Sequence, residues 1–415
     1  MNFLFLGICA PSLAAEPALN GDLKQFFTVT NPYDSLLLPP KTHAQAFIDG
    51  RLKLSWKPTE SLRFEAHHVV TSGTLAPQNQ LMRELTAMGV EPTEENGSGV
   101  FMTGVGLNAP EAVELSWAVD DEELFLQGRT DRLWIRQQFG RTDVTVGRQA
   151  IGFGNGLAFN PLDLVQPFSF ATIDSEYKPG VDAFRVDQYL GMSSQIGALL
   201  AYSGDWDKDG ITAMVTAKHP LGPSELSYMV ASVRSDLVFG VGSATSIGPV
   251  GVHVDFTVTE PDQTEEDPFA RVVAGVFTKP FEPATLTAEI YFQSLGAAEP
   301  EKYLEFAESE RFARGELWLF GRTYASVAWT QELGPLMTTT VASTINIEDG
   351  SAFLSPTGSY SISDDVQAIF GGFIGLGERP ESPDINDLLS GDVIEVNSEF
   401  GLYPSSIFVQ MRAYL

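Results

Sequence analysis

The sequence predicts an all-β fold: a closed antiparallel transmembrane β-barrel of about 18 strands, with 16 as the alternative count. Three observations carry this. Segments of about 9–13 residues alternate in polarity, which is the period of a strand. The connections between them alternate between short and long, so they sort onto two rims. No run of about 18 apolar residues exists, so no helix spans a membrane, yet the mean hydropathy is near zero. A soluble sandwich or solenoid has no reason to combine a continuous apolar face with two sorted rims.

Residues 43–56 show the rhythm best. Ala44, Ala46, Ile48, Leu52, Leu54 and Trp56 share one face; His43, Gln45, Asp49, Arg51, Lys53 and Ser55 share the other, with Phe47. Leu286, Ala288, Ile290 and Phe292 likewise oppose Thr285, Thr287, Glu289, Tyr291 and Gln293. Near the end, Ile407, Val409, Met411 and Ala413 oppose Phe408, Gln410, Arg412 and Tyr414. In order, strands are expected near 21–30, 43–56, 61–72, 129–139, 142–152, 181–190, 194–204, 211–219, 224–235, 237–247, 250–260, 269–279, 284–295, 315–332, 336–347, 351–362, 366–377 and 399–415. The segments 21–30 and 315–332 are ambiguous, which leaves sixteen open, and 399–415 counts as one strand interrupted at Pro404. Residues 269–279 are apolar on both parities.

Phe3 to Leu13 is mostly apolar and ends in small residues, Ser12-Leu13-Ala14 or Leu13-Ala14-Ala15, so residues 1–15 read as a signal peptide. Residues 16–415 then form a single barrel domain, with long loops at 73–128, 153–180, 296–314 and 378–398. About five residues separate the expected cleavage site from the first strand, too few for a plug domain.

Composition excludes several function classes. The net charge of −29 leaves no basic stripe for nucleic acid. That charge is localised: segments 73–128, 260–268, 296–314 and 378–398 carry −21 of it. The single cysteine, Cys9, lies in the leader, so the mature chain offers no disulfide, thiol nucleophile or cysteine metal site. The five histidines show no zinc spacing. No Ser-His-Asp order is defensible, and an enzyme is not expected. Gly152-Phe153-Gly154-Asn155-Gly156 is followed by no lysine and sits in no βαβ unit, which argues against a phosphate loop.

Two stretches are specific. Residues 146–163 read VGRQAIGFGNGLAFNPLD and residues 177–187 read YKPGVDAFRVD. A strand ending in GRQ, a Gly-rich turn, an NP-L-D corner and a later YKPG resemble a widespread set of porin-like outer-membrane proteins of Gram-negative bacteria. The resemblance implies a porin-like barrel in the cell outer membrane and no particular substrate. The terminal Leu415 departs from the aromatic residue usual there, although Tyr414 is adjacent. The reading is a channel for passive diffusion of small hydrophilic solutes or ions, because 18 strands enclose more space than side chains fill. The expected surroundings are outer-membrane lipid, lipopolysaccharide and the barrel-assembly machinery, with oligomerisation open. The alternatives are a dedicated exporter or importer of a polymer or apolar compound, and a structural or adhesive barrel.

The candidate constriction has two sides. Arg51, Lys53, Arg63, Arg132, Arg136 and Arg185 fall on polar faces of neighbouring strands; Arg148 joins them if Gly147 bulges. Loop 153–180 is too apolar to stand in water, and its glycines and prolines suit a sharp inward fold onto the inner wall, with a neighbouring protomer or a lid on the outer rim as the alternatives. Its acids Asp163, Asp174 and Glu176 are expected to face the basic strip across the pore. Separately, Asp205, Asp207 and Asp209, ahead of Gly210, match the first half of a calcium loop; the acid due at the twelfth position is replaced by Thr216. No other cofactor is expected.

Overall fold

The structure is a computed structural model, and it describes residues 16–31, 42–74, 110–120, 124–166, 176–263, 266–307, 309–313, 315–379 and 396–415. The chain forms β1 (Ala18–Asn31), β2 (His43–Trp56), β3 (Leu62–Thr74), β4 (Trp117–Asp120), β5 (Leu124–Phe139), β6 (Thr142–Gln149), β7 (Val181–Tyr189), β8 (Gln195–Tyr202), β9 (Ile211–Leu221) and β10 (Ser224–Val233). It continues with β11 (Asp236–Ile247), β12 (Val250–Glu260), β13 (Phe269–Thr278), β14 (Ala284–Gln293), β15 (Thr323–Gly334), β16 (Met337–Asn346), β17 (Ala352–Ser363), β18 (Val366–Leu376) and β19 (Ser405–Tyr414).

β4 is a short addition that pairs only with the loop-side end of β5. The other eighteen strands form one antiparallel ring in chain order, which closes where β19 pairs with β1, Val409 opposite Phe27. Eighteen is the count expected from the sequence.

Two expected strands are shorter than their patterns. The segment 315–332 becomes strand only at Thr323, and 399–415 only at Ser405. Before Thr323, Leu317, Leu319 and Phe320 are buried, and a side chain from β14 holds their backbone in place of a strand partner. The Gln293 amide donates to the carbonyls of Leu319 and Gly321, at 2.8 Å each. Phe400–Leu402 forms a 3₁₀ turn and is buried. The expected signal peptide, Asp174 and most of loops 73–128 and 378–398 lie outside the described residues.

Facing follows the period of two. On β1, Asp22, Lys24, Phe26 and Thr28 are buried, while Leu23 and Phe27 are exposed. A polar residue buried beside an exposed Phe is reversed for a soluble protein and normal for a barrel in lipid. Trp56, Phe139, Tyr189 and Phe281 stand exposed at or beside the short connections, where aromatic side chains sit at a membrane boundary.

The apolar core lies inside the ring, under inward loops. Ile151 and Leu162 pack with Val181, Leu199, Met214 and Met229 on the β7–β10 wall. Phe159, Tyr303, Phe320, Phe400 and Tyr403 pack with Tyr291, Tyr324, Phe353 and Phe373 on the β14–β18 wall. The lumen is therefore partly filled by loops, as its width requires.

Candidate functional site

The segment after β6 is the centre of the site. Gly154 adopts a φ of +93°, and a side chain there would collide with Asn160, so the chain turns sharply. It then crosses to the opposite wall, where two buried carboxylates receive it. Asp255 on β12 accepts the backbone N–H groups of Asn155 (2.5 Å) and Gly156 (3.1 Å) and the Asn155 side-chain amide (2.7 Å). Glu289 on β14 accepts those of Leu157 (2.6 Å), Ala158 (2.8 Å) and Phe159 (3.1 Å). His253 Nε2 lies 2.8 Å from the same Glu289 carboxylate. Phe159 stacks on Tyr291, with ring centroids 4.9 Å apart. Leu162 fits over Gly240 and Gly242 of β11, where a side chain would displace it.

The return arm docks on the wall where the barrel closes. Tyr177 lies under three cations, with its ring centroid 4.0 Å from the Arg51 guanidinium carbon and 4.8 and 5.3 Å from Lys24 and Lys53 Nζ. Its hydroxyl accepts from Lys53 at 2.9 Å and donates to Asp22 at 3.4 Å. Glu176 pairs with Lys24 at 2.8 Å and Arg412 at 3.1 Å. Lys178 pairs with Asp163. Burial pushes the Asp163 carboxyl up to about 6 against the pull of Lys178, whose own ammonium burial pushes down.

The structure brings the expected basic strip together but corrects its pairing. Asp163 and Glu176 do not stand opposite the six bases across an open gap; they bind Lys178, Lys24 and Arg412. Arg51 is held by Asp131 at 2.5 Å, Lys53 by Asp22 at 2.8 Å, and Arg185 by Asp187 at 2.7 Å. A bulge opposite His67 and His68 turns Asp131 and Arg132 inward together, and Arg132 also donates to the Lys178 carbonyl at 2.6 Å. Arg63 and Arg136 lie directly opposite each other and both flank Trp134, at 5.8 and 5.1 Å. Continuing the row, Arg136 opposes Thr145 and Thr145 opposes Arg185. Three arginines thus share one level of the wall.

Arg148 is not part of this row. The pairing register runs through Gly147 without a shift, although φ there is +112°. Arg148 is buried within the wall, bound to Glu111 at 2.6 Å and Asp182 at 2.7 Å.

The aspartates of the tight 203–210 hairpin serve its turn. Asp207 accepts the N–H groups of Asp209 and Gly210, Asp205 accepts that of Trp206, and Asp209 accepts from Ser235. Among the described residues no group of three potential ligands converges on a metal position.

A second buried carboxylate network ties the remaining inward loops together. Glu399 accepts from Tyr324 Oη, the Phe320 N–H (3.0 Å) and Asn346 Nδ2 (2.8 Å). Asp349 accepts from Tyr303 Oη at 3.0 Å and from the Glu399 N–H at 2.8 Å. Complete burial, with Asp349 adding repulsion, pushes the Glu399 carboxyl up to about 7. A carboxyl raised in the folded state favours its neutral form there. Its contribution to stability is full below its ordinary value and is lost as pH rises through about 7. Thermal melts of the folded barrel should therefore fall between pH 5 and 8, and Glu399→Gln should flatten that part of the profile. An unchanged slope in the variant would remove Glu399 as the cause.

No protein-family model and no curated protein sequence matches the chain. Solved structures do. A BenF-like porin from Pseudomonas fluorescens superposes with a TM-score of 0.57 at 8% identity, covering 97% of this chain and 100% of that one. Pseudomonas aeruginosa OccK2 (OpdF), in complex with glucuronate, gives 0.55 at 8% identity over 96% and 98%. Pseudomonas aeruginosa OpdK, with vanillate, gives 0.55 at 10% identity over 96% and 98%. The fold is that of an outer-membrane porin. A closed barrel with this apolar outer face belongs in the cell outer membrane, and the porin fold accounts for both the strand number and the two rims.

Sequence reasoning missed Lys24 and Arg412, which hold Glu176. They sit on the first and last strands and become neighbours only on closure. It also missed Asp255 and Glu289. Their signal was an acid on the polar parity within a strand, rather than in a loop.

Proposed function

We propose that the protein is a passive channel for small hydrophilic solutes or ions, narrowed by the inward segment 151–166 and its return arm. The observation that carries this is the fastening of that segment across the lumen, from β6 to Asp255 and Glu289 on the far wall. Such a segment sets a passage by occupying space, and transport needs no chemistry. The barrel's outer face would contact lipid and lipopolysaccharide, and the barrel-assembly machinery would insert it.

Two of the similar barrels hold glucuronate and vanillate. Both are carboxylates, and Arg136 and Arg63, the latter with Glu65 at 3.6 Å, supply matching charge in this lumen beside Arg185, which Asp187 holds. Arg63 and Arg136 are like charges in register, an arrangement that an anion lying between them relieves. Small carboxylates are the solute class this favours.

The mouth pulls the other way, because the long loops carry most of the −29 net charge. At about 0.15 M salt the Debye length is about 8 Å, so that field acts near the mouth and fades as salt rises. Planar-bilayer recordings should show steady single-channel current with cation preference at low salt. Arg63→Ala with Arg136→Ala should shift the reversal potential further toward cations and lower the permeability of acetate. A folded barrel that passes no current would overturn the channel reading; an anion preference at low salt would overturn the assignment of the mouth.

A further inference from the structure

A cavity of about 170 Å³ lies away from the arginine row, between the crossing segment and the β13–β14 wall. Residues 156–161 form one side, Arg271, Tyr291 and Gln293 the wall, and residues 316–319 the roof. Arg271 is 6% exposed and, among the described residues, forms no ion pair, while its Nε has no hydrogen-bond partner there. The indole Nε1 of Trp318, on the same cavity, is also buried without a partner. The two acids at the cavity are engaged elsewhere: Glu316 by Arg311 at 3.1 Å, and Asp163 by Lys178.

A buried cation without a counter-ion is costly, and a buried donor without an acceptor adds to that cost. Both donors lack the same thing, a negative acceptor. The space is several times the roughly 30 Å³ share of one water, and Leu157, Leu317 and Leu319 give it apolar flanks.

We propose that this cavity binds a small oxyanion of acetate size, held by the Arg271 guanidinium and the Trp318 N–H. The anion is a resident ligand. It joins the crossing segment to residues 316–319, and it does so whether or not the barrel conducts. Water alone would leave the Arg271 charge uncompensated, and a large anion does not enter.

The test is thermal melting of the detergent-folded full chain at fixed ionic strength, with a bulky sulfonate replaced stepwise by acetate. Wild type should melt at higher temperature with acetate, and the rise should saturate. Arg271→Gln should lose the rise and, in sulfonate alone, melt no lower than wild type, because it removes an uncompensated buried charge. Trp318→Phe should keep the rise but need about tenfold more acetate, the loss expected for one hydrogen bond to a charged acceptor. Arg141→Gln, an exposed cation at the turn after β5, should keep the wild-type response. Should Arg271→Gln fail to fold, the Trp318→Phe shift decides. A wild-type rise that never saturates, one that Arg271→Gln leaves intact, or an equal response to chloride would each overturn the oxyanion site.

Discussion

Replacing Asp255 and Glu289 together with Ala releases the crossing segment and raises single-channel conductance. The two carboxylates accept five backbone N–H groups from consecutive residues 155–159 and are themselves buried. Hydrogen bonds to a charged acceptor contribute about 1.5–3 kcal/mol each, so the loss amounts to several kcal/mol even without additivity. The strand ladder does not depend on these groups, so the barrel should still form and migrate as a folded species on gels. Stacking of Phe159 on Tyr291 and the seat of Leu162 over Gly240 resist release, but neither gives the five N–H groups a new acceptor. Glu289→Ala alone should give an intermediate conductance, since Asp255 still holds Asn155 and Gly156. Wild-type conductance in a correctly folded double variant would show that the segment does not narrow the passage.

A charge placed on the outer face should be nearly as costly. Ile290 and Val409 are 62% and 46% exposed and lie on the lipid side of β14 and β19. Arg at either position should cost about 2–4 kcal/mol at the membrane midplane, and less toward a rim. Thr287→Arg, on the lumen parity of β14, should be mild. Gln410 shares the lumen parity of β19, but it is fully buried with neither amide atom satisfied, so Gln410→Arg should be costly through overpacking. Denaturant titration of folding into lipid vesicles measures all four. Equal stabilities would mean that facing does not govern cost.

The contrast at Gln410 shows what sequence reading reaches. Parity is local, so facing, strand number and the rims were legible; β2 occupies the expected 43–56. Which lumen-facing residues meet solvent depends on where loops come to rest, and that is not local. The apolar composition of 153–180 showed that the segment needs a surface; only the fold shows that β7–β14 supply it. Residues 317–320 read as a short apolar run, and nothing in it shows that Leu317 and Leu319 roof a cavity. The ion pairs of Glu176 needed strands β1 and β19 side by side. Arg271 is the one cation of the otherwise apolar strand β13, but that no acid among the described residues pairs with it could not be read from the sequence.

The same β1–β19 pairing bears on how the chain reaches its folded state. Asp22 meets Tyr414, so the ring is sealed by segments nearly a whole chain apart. Every other ring pair is joined by a single stretch of chain, short on one rim and longer on the other, and can form before the rest of the barrel is made; this seam cannot form until β19 is available. Until then the sheet has two open edges, each a row of unpaired N–H and C=O groups. Glu176 binds both Lys24 of β1 and Arg412 of β19, so its arm is a clasp over that seam and can engage only after the seam has closed. Order of events is thereby written into the ring: local hairpins first, the distant seam late, the clasp last.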